Sequence, residues 1–268
     1  MQPNRIKQLW KENKTALNAW ITIPSSWTAE VMAHAGLDAM TIDAQHGLAS
    51  DYHTILPMLQ AINTTNTVPF VRIPWNDPAY IMRMLDGGVA GLICPMLNNR
   101  AESEAFVQAS KYPPHGFRSI GPTRASVHFG DEYFGTANTE VITMAMIETA
   151  DAMKNLDDIA QTANMDGLYV GPWDLSLALR HAKIADFESV ELLGVFDKIL
   201  NACAKHGIVA GVQCPSPEVA IKMSEMGFKF VTAMNDTTLL KTSAQKSVEK
   251  FRNNIIQNSS QNGANPYA

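Results

Sequence analysis

The fold of this chain is decided by residues 141–179, VITMAMIETADAMKNLDDIAQTANMDGLYVGPWDLSLAL. The run at 141–147 is apolar and ends at Glu148, and the apolar residues after it recur at helical spacing. A second short apolar run, at 167–171, ends just before Asp174. Strand, helix and strand form a βαβ unit, whose crossover makes the two strands parallel and neighbouring. Both acids are therefore predicted at the carboxyl ends of adjacent strands.

Two carboxylates in such positions indicate a cation between them, because close like charges repel unless a proton or a metal ion offsets them. A hard divalent ion with oxygen ligands, Mg²⁺ or Mn²⁺, suits this pair and keeps coordination positions open for a substrate. Each acid alone is better explained as a cap of the helix that follows it. Their equivalent positions in consecutive units favour a metal site formed by Glu148 and Asp174.

Composition and charge narrow the class of protein. The chain has 268 residues, of which 46% are hydrophobic and 18% charged, as in ordinary globular enzymes. The net charge of −5 and the lack of a Lys/Arg cluster argue against a nucleic-acid partner. No apolar run approaches the roughly 20 residues of a membrane span, and residues 1–13 do not resemble a secretory signal. Cys94, Cys203 and Cys214 form no CxxC pair and fit buried thiols, so we expect a cytoplasmic protein.

Eight apolar segments alternate with helical patterns, which predicts a (β/α)₈ barrel. The predicted strands are residues 19–23, 38–42, 67–71, 90–94, 141–147, 167–171, 209–212 and 229–232. Residues 112–130 are predicted to form a long irregular loop. An open doubly wound sheet is the alternative, but no GxGxxG motif follows the first strand. We expect one barrel domain over residues 1–252 and a flexible tail, rich in Asn, Gln and Ser, over residues 253–268.

In a barrel, reacting groups lie where the strands end at the carboxyl face. Besides the two acids, this face is predicted to carry Asp43 and His46 after the second strand and Arg72 after the third. Asp43 is near enough in sequence to orient the His46 imidazole for acid/base work, although a lone histidine is also explained as an ordinary loop residue. Arg72 is either a functional cation or part of a structural ion pair. No lysine is predicted at this face, which argues against a Schiff base.

These residues lie in segments that resemble the HpcH/HpaI aldolase family of metal-dependent 2-oxo acid aldolases. The resemblance extends over about residues 5–252. The matching segments are IDAQHG (42–47), VRIP (71–74), YPPHGFRS (112–119), MIE (146–148) and GPWDLS (171–176). The resemblance implies a barrel whose last helix is exchanged with a partner subunit, within a homo-oligomer that is usually a hexamer.

The resemblance also implies roles for the residues at the barrel mouth. Glu148 and Asp174 match the metal ligands of the family. Arg72 matches the residue beside the substrate oxo group. His46, together with Asp43, matches the pair that performs acid/base work.

Further residues acquire expected roles in the same way. Asp86 matches an additional acid that supports the histidine. The carboxylate of pyruvate is expected on backbone amides at the start of a helix, so Gly171, Pro172 and Trp173 are expected substrate contacts. Gln45 stands where several members of the family carry Glu.

The predicted function is metal-dependent retro-aldol cleavage of a 4-hydroxy-2-oxo acid to pyruvate and an aldehyde, together with the reverse addition. A divalent ion, Mg²⁺ or Mn²⁺ with Co²⁺ as an alternative, acts as a Lewis acid. His46 takes the proton of the 4-hydroxyl group, and Arg72 stabilises the enolate oxygen. One alternative is a CoA-ester lyase, for which Arg118 and Arg124 would supply a basic groove. Another is a catalytically silent oligomeric barrel that binds a metal ion or an oxo acid. The candidate residues of the aldehyde pocket are Trp20, Trp75 and Trp173.

Overall fold

Eight parallel strands close into a barrel in sequence order, as the sequence predicts. The computed structural model describes residues 2–261, and side-chain environments through residue 254. The strands are β1 (Ala16–Ile21), β2 (Ala39–Asp43), β3 (Val68–Arg72), β4 (Gly91–Cys94), β5 (Ile142–Ile147), β6 (Gly167–Val170), β7 (Val209–Gln213) and β8 (Phe230–Asn235). Each strand pairs with the next, and β8 pairs with β1.

The helices form the outer layer and close the two ends. In the described part of the chain they are α1 (Arg5–Lys11), α2 (Ser26–Ala33), α3 (Tyr52–Ile62), α4 (Pro78–Asp86), α5 (Arg100–Ser110), α6 (Thr123–Phe129), α7 (Tyr133–Glu140), α8 (Ala150–Lys154), α9 (Leu156–Ala160), α10 (Pro172–Ala178), α11 (Val190–His206), α12 (Pro217–Met226) and α13 (Asp236–Gln261). The predicted loop at 112–130 was wrong in its second half, because α6 begins at Thr123. The single helix expected between β5 and β6 is divided into α8 and α9.

Polar side chains start several of the outer helices just after the strand ends. Asp51, Asp77 and Ser216 each accept a hydrogen bond from a backbone N–H of the first turn, which replaces a partner that the helix itself cannot supply. Pro78 and Pro217 occupy first-turn positions, where the missing N–H costs nothing. These caps fix where each loop at the carboxyl face ends.

The inside of the barrel is filled by large side chains. Phe70 and Phe230 lie with ring centroids 4.9 Å apart, and Trp20 stacks on Tyr169 at 5.6 Å. Gly91 faces this packing, since a Cβ atom there would lie 2.2 Å from the Phe70 ring. The interior is therefore a packed core, and ligands meet the protein at the mouth.

The last helix, α13, is held to the barrel by hydrogen bonds at its first residue. Asp236 is buried, and its carboxylate accepts hydrogen bonds from the backbone N–H groups of Thr22 and Ile23 at 2.9–3.1 Å. The helix was predicted to end near residue 254, but it continues to Gln261. The rest of the expected tail, residues 262–268, lies outside the described residues. Across residues 2–261, no helix has both the length and the hydrophobicity to cross a membrane.

Candidate active site

Asp43 and Arg72 form a two-bond ion pair at the mouth of the barrel. They end the neighbouring strands β2 and β3, where they are register partners. Arg72 Nε donates to Asp43 Oδ1 at 2.9 Å, and Nη2 donates to Oδ2 at 2.6 Å. Arg72 is only 6% exposed and Asp43 only 2%. Such bidentate geometry holds the guanidinium in one orientation.

The expected contact between Asp43 and the His46 imidazole is absent from the described structure. Asp43 Oδ1 instead accepts the backbone N–H groups of Gln45 and His46, at 3.1 and 3.2 Å. The His46 side chain is exposed in this turn. Because Arg72 is the register partner of Asp43 on the neighbouring strand, its guanidinium bonds the carboxylate and the imidazole does not. Asp43 therefore shapes the loop and orients Arg72.

The Arg72 guanidinium lies 4.9 Å above the ring of Trp20, in a cation–π arrangement. Its Nη1 lies 4.0 Å from the sulfur of Met146, a weak acceptor. Nη1 is therefore the part of the guanidinium with the most capacity to donate to a ligand. Burial raises the pKa of Glu148, and the charge of Arg72 opposes that rise as the smallest of the contributions, so the cation and that acid lie near each other.

Glu148 follows β5 and is only 4% exposed. Its Oε1 accepts the backbone N–H of Met96 at 2.7 Å. Met96 has a φ of 57°, a left-handed conformation that is rare for a methionine and is typical of functional loops. Opposite, Gly171 leaves room for the carboxylate, since a Cβ there would lie 3.2 Å from Glu148 Oε2.

The two predicted metal ligands interact electrostatically. Burial raises the pKa of the Glu148 carboxyl most, and the nearby charge of Asp174 raises it further, against the Met96 amide and Arg72. A cation between the acids would relieve both effects. Asp174 lies exposed in the first turn of α10, where its carboxylate is accessible to such an ion.

The donor set fits a hard divalent ion. Within residues 2–261, no three His, Cys, Asp or Glu side chains group as a metal site. The acids that act on each other electrostatically at the mouth are Glu148 and Asp174. Mg²⁺ is usually held by one or two carboxylates, with waters and substrate completing the shell. Gln45 Oε1 is buried without a hydrogen-bond partner among the described residues. A bound water would satisfy this neutral acceptor.

Asp86 lies away from the mouth of its own barrel, so the support of His46 that the resemblance implies stays a prediction. The helix α4 runs back from the end of β3 towards the start of β4, and Asp86 is its last residue. There Arg118 Nη2 donates to Asp86 Oδ1 at 2.8 Å. Burial raises the pKa of Asp86, and Arg118 opposes that rise. Within one chain the contacts of Asp86 are structural.

Comparison with known proteins identifies the family of this chain. Residues 18–241 match the HpcH/HpaI aldolase/citrate lyase family. The chain belongs to this family. It is 38% identical over 250 residues to a hydroxypyruvate/pyruvate aldolase of Rhizorhabdus wittichii, covering 93% of this chain and 99% of the relative. A 5-keto-4-deoxy-D-glucarate aldolase of Escherichia coli is 30% identical over 252 residues, 93% and 97% of the two chains.

A solved structure supports the same family and fold. It is a HpcH/HpaI aldolase/citrate lyase family protein from Burkholderia cenocepacia, with a TM-score of 0.85 at 27% identity over 93% of this chain and 99% of that one. The resemblance and the barrel predicted from the sequence are thus confirmed.

The family's expected carboxylate position is open to a ligand. The helix α10 has Gly171 as its N-cap and Pro172 in its first turn, and no side chain caps it. A cavity of about 850 Å³ adjoins this point and includes Trp20 and Trp173 in its lining, but not Trp75. Two of the three tryptophans proposed for the aldehyde pocket therefore line one space beside the acids.

The two arginines that supported the CoA-ester alternative are engaged elsewhere. Arg118 is buried between Asp86 and the ring of Tyr112, which lies 4.4 Å from the guanidinium carbon. Arg124 Nη1 donates to the carbonyl of Gly87 at 2.6 Å. Neither side chain contributes to a basic groove at the mouth.

Sequence reasoning missed two residues of the mouth. Met96 holds Glu148 through its backbone, a role that no side-chain type could reveal. Gln213 lines the cavity at the end of β7, one residue beyond the predicted end of that strand. Extending the strand by a residue would have placed it at the carboxyl face.

Proposed function

We propose that this family member is a divalent-metal-dependent pyruvate aldolase that cleaves a 4-hydroxy-2-oxo acid to pyruvate and an aldehyde, reversibly. Carbon–carbon bond cleavage of a hydroxy-oxo acid to pyruvate is the activity supported by the family and by both relatives. The observation that carries the finer proposal is the fixed, buried guanidinium of Arg72 beside the paired acids Glu148 and Asp174.

Glu148 and Asp174 are the residues that would hold the ion. When bound, the ion supplies Lewis-acid polarisation of the 2-oxo group. Arg72, held by Asp43, donates to the same oxygen as it becomes negative, and this pre-set orientation avoids reorganisation during the reaction. The exposed imidazole of His46 can reach a substrate at the rim and take the 4-hydroxyl proton as the C3–C4 bond breaks.

The pyruvate carboxylate is assigned to the start of α10. With Pro172 lacking an N–H, the backbone donors there belong to Trp173 and Asp174. Backbone amides at an uncapped helix start suit a carboxylate. This places the carboxylate next to Asp174 and gives one orientation to the whole 2-oxo acid.

The decisive experiment measures pyruvate release from a 4-hydroxy-2-oxo acid by the parent protein, before and after chelation. Chelation should abolish turnover, and Mg²⁺ or Mn²⁺ should restore it. Glu148→Gln and Asp174→Asn should weaken metal binding in calorimetry without unfolding the barrel, while Asp197→Asn, an exposed control on α11, should not. Inactivation by borohydride in the presence of pyruvate would indicate an imine and overturn the proposal.

The proposal includes exchange of α13 between subunits of a homo-oligomer, with a hexamer as the expected form. Among the described residues, the helix makes its main contacts with β1 and β8, and Leu240, Val248 and Phe251 are exposed along it. A barrel's last helix would ordinarily lie between α12 and α2, where Ile221 and Trp27 are exposed instead, Trp27 at 69%. The proposal is that the exposed apolar residues of α13 cover Trp27 and Ile221 of a neighbouring subunit.

We place the activity in the cytoplasm. The three cysteines, Cys94, Cys203 and Cys214, are free and buried, and burial raises the pKa of each thiol. Neutral buried thiols suit a reducing compartment.

A further inference from the structure

The cavity beside the acids has a polar end. Its lining runs from Trp20 and Trp173 to the ends of β7 and β8, where Gln213 and Asn235 lie, and to the first turns of α13. Trp173 is next in sequence to Asp174, and Trp20 lies under the Arg72 guanidinium, so this space adjoins the proposed site. The aldehyde portion of the substrate would occupy it.

A chain of hydrogen bonds crosses the barrel interior and ends at Gln213. Thr41 Oγ1 donates to Asn18 Oδ1 at 3.0 Å, and Asn18 Nδ2 donates to Thr232 Oγ1 at 2.7 Å. Thr232 Oγ1 lies 2.7 Å from the Tyr169 hydroxyl, which donates to Gln213 Oε1 at 3.1 Å. Tyr169 has one hydroxyl proton and gives it to Gln213, so Thr232 must donate to Tyr169. Every member of the chain then has a partner.

This chain sets the orientation of the Gln213 amide. Tyr169 is fully buried and stacked on Trp20, and burial raises the pKa of its hydroxyl far above the usual range, so the proton stays in place. The amide oxygen of Gln213 is therefore anchored at Tyr169. Its Nε2 has only a 3.5 Å contact with the carbonyl of Cys214, at the limit of a hydrogen bond, and remains able to donate to a ligand.

We propose that Gln213 selects the aldehyde: its amide N–H donates to a hydroxyl oxygen on the carbon next to the aldehyde carbonyl. The preferred acceptor is then a hydroxyaldehyde and not an alkyl aldehyde of equal size. Tyr169 is a positioning residue that acts through Gln213. This inference rests on the proposed aldolase function, because it assigns the second substrate of that reaction.

The test is aldol addition to pyruvate with two acceptors of equal heavy-atom count, glycolaldehyde and propanal. For each protein, the ratio of kcat/KM for glycolaldehyde to that for propanal is measured, which cancels differences in active fraction. Gln213→Leu should lower the parent ratio by about 10-fold, the value of one neutral hydrogen bond. Tyr169→Phe should lower it in the same direction by less. Thr242→Val, a matched loss of a hydroxyl on the α13 side of the cavity, should keep the parent ratio.

The variants and the acceptor aldehydes in this test distinguish the ways in which the proposal could be wrong. An unchanged ratio in Gln213→Leu, or an equal fall in Thr242→Val, would overturn the assignment to Gln213. Glyoxylate, run as a third acceptor, has a carboxylate in place of the hydroxymethyl group of glycolaldehyde. A larger loss for glyoxylate than for glycolaldehyde in Gln213→Leu would show that the amide selects an acid and would overturn the hydroxyl assignment. Exchange of pyruvate methyl protons with deuterium in the parent tests the aldolase function separately, because that step needs no aldehyde.

Discussion

Asp43 and Arg72 end neighbouring strands in register, and their side chains bond twice in a position that solvent hardly reaches. A buried ion pair is weak evidence for stability, because desolvation offsets most of its attraction. Its value here is orientation, since Nη1 of the guanidinium keeps only a weak contact with the sulfur of Met146 and can donate to a ligand. Both residues were correctly predicted at the mouth, but Asp43 was predicted to contact His46. The choice of partner depends on strand register, which the spacing in the sequence does not give.

Asp43→Asn should therefore impair steps that involve Arg72, including those that need no aldehyde. We expect exchange of pyruvate methyl protons with deuterium to slow by about 10²-fold, as for a misplaced reacting group, and Arg72→Ala to slow it by roughly 10²–10³-fold. NMR at saturating metal measures both rates. If Asp43→Asn lost only aldol cleavage and kept normal exchange, Asp43 would serve His46 after all.

His46 is exposed, so its removal should leave the fold intact. We expect His46→Ala to keep the melting temperature of the parent while aldol cleavage falls by roughly 10²–10⁴-fold, the usual contribution of a general base. His34→Ala, at an exposed histidine that caps the C-terminal end of α2, is the control. Normal cleavage by His46→Ala would assign the 4-hydroxyl proton to another base.

The elements were predicted well where the apolar pattern was strong. All eight predicted strands overlap the observed ones, because a strand enclosed by helices must be apolar on both faces. However, β1 begins three residues earlier than predicted and β8 ends three residues later. The helices α6 and α7 were missed because they are short, and Gly130, with a φ of 88°, separates them. The last helix was predicted to end too early, since its polar composition resembles that of a loose tail.

The exposed apolar residues of α13 predict its partner surface. Phe251→Asp on the helix and Trp27→Asp on α2 should each disfavour assembly, because each puts a charge into the proposed contact. Light scattering should show a shift from the parent oligomer to smaller species. Val190→Asp, at an exposed apolar position on α11, is the control. An unchanged mass for both variants would remove the case for exchange.

At the scale of the whole molecule, one ionisable side chain, Lys111, is buried far from the proposed active site. Lys111 Nζ donates to the carbonyl of Val141 at 2.7 Å and lies 3.8 Å from Asp166. Burial lowers the pKa of Lys111 from 10.5 to about 8, against the charge of Asp166. Between these pH values the unfolded chain binds more protons at this site than the folded one, so stability rises with pH there. Below pH 8 the folded protein carries the full free-energy cost of burying the charged Lys111 side chain.

Lys111→Met should remove that dependence. As the pH rises from 7.5 to 10.5, the free energy of unfolding of the parent should increase relative to the variant by roughly 3 kcal/mol at most. Denaturant unfolding across this range measures the difference. Lys198→Met, on the exposed face of α11, should follow the parent. Parallel curves for the parent and Lys111→Met would mean that Lys111 keeps an ordinary pKa.

The cavity that receives the aldehyde has a wall made by the first turns of α13, including Leu239 and Lys246. If the far end of that helix is held by a neighbouring subunit, the neighbour steadies this wall without touching a reacting atom. Diluting the protein until it dissociates would then broaden the range of aldehydes accepted while the exchange of pyruvate protons continued. The concentration of the enzyme would become a determinant of what it makes, and product analysis across a dilution series would reveal it.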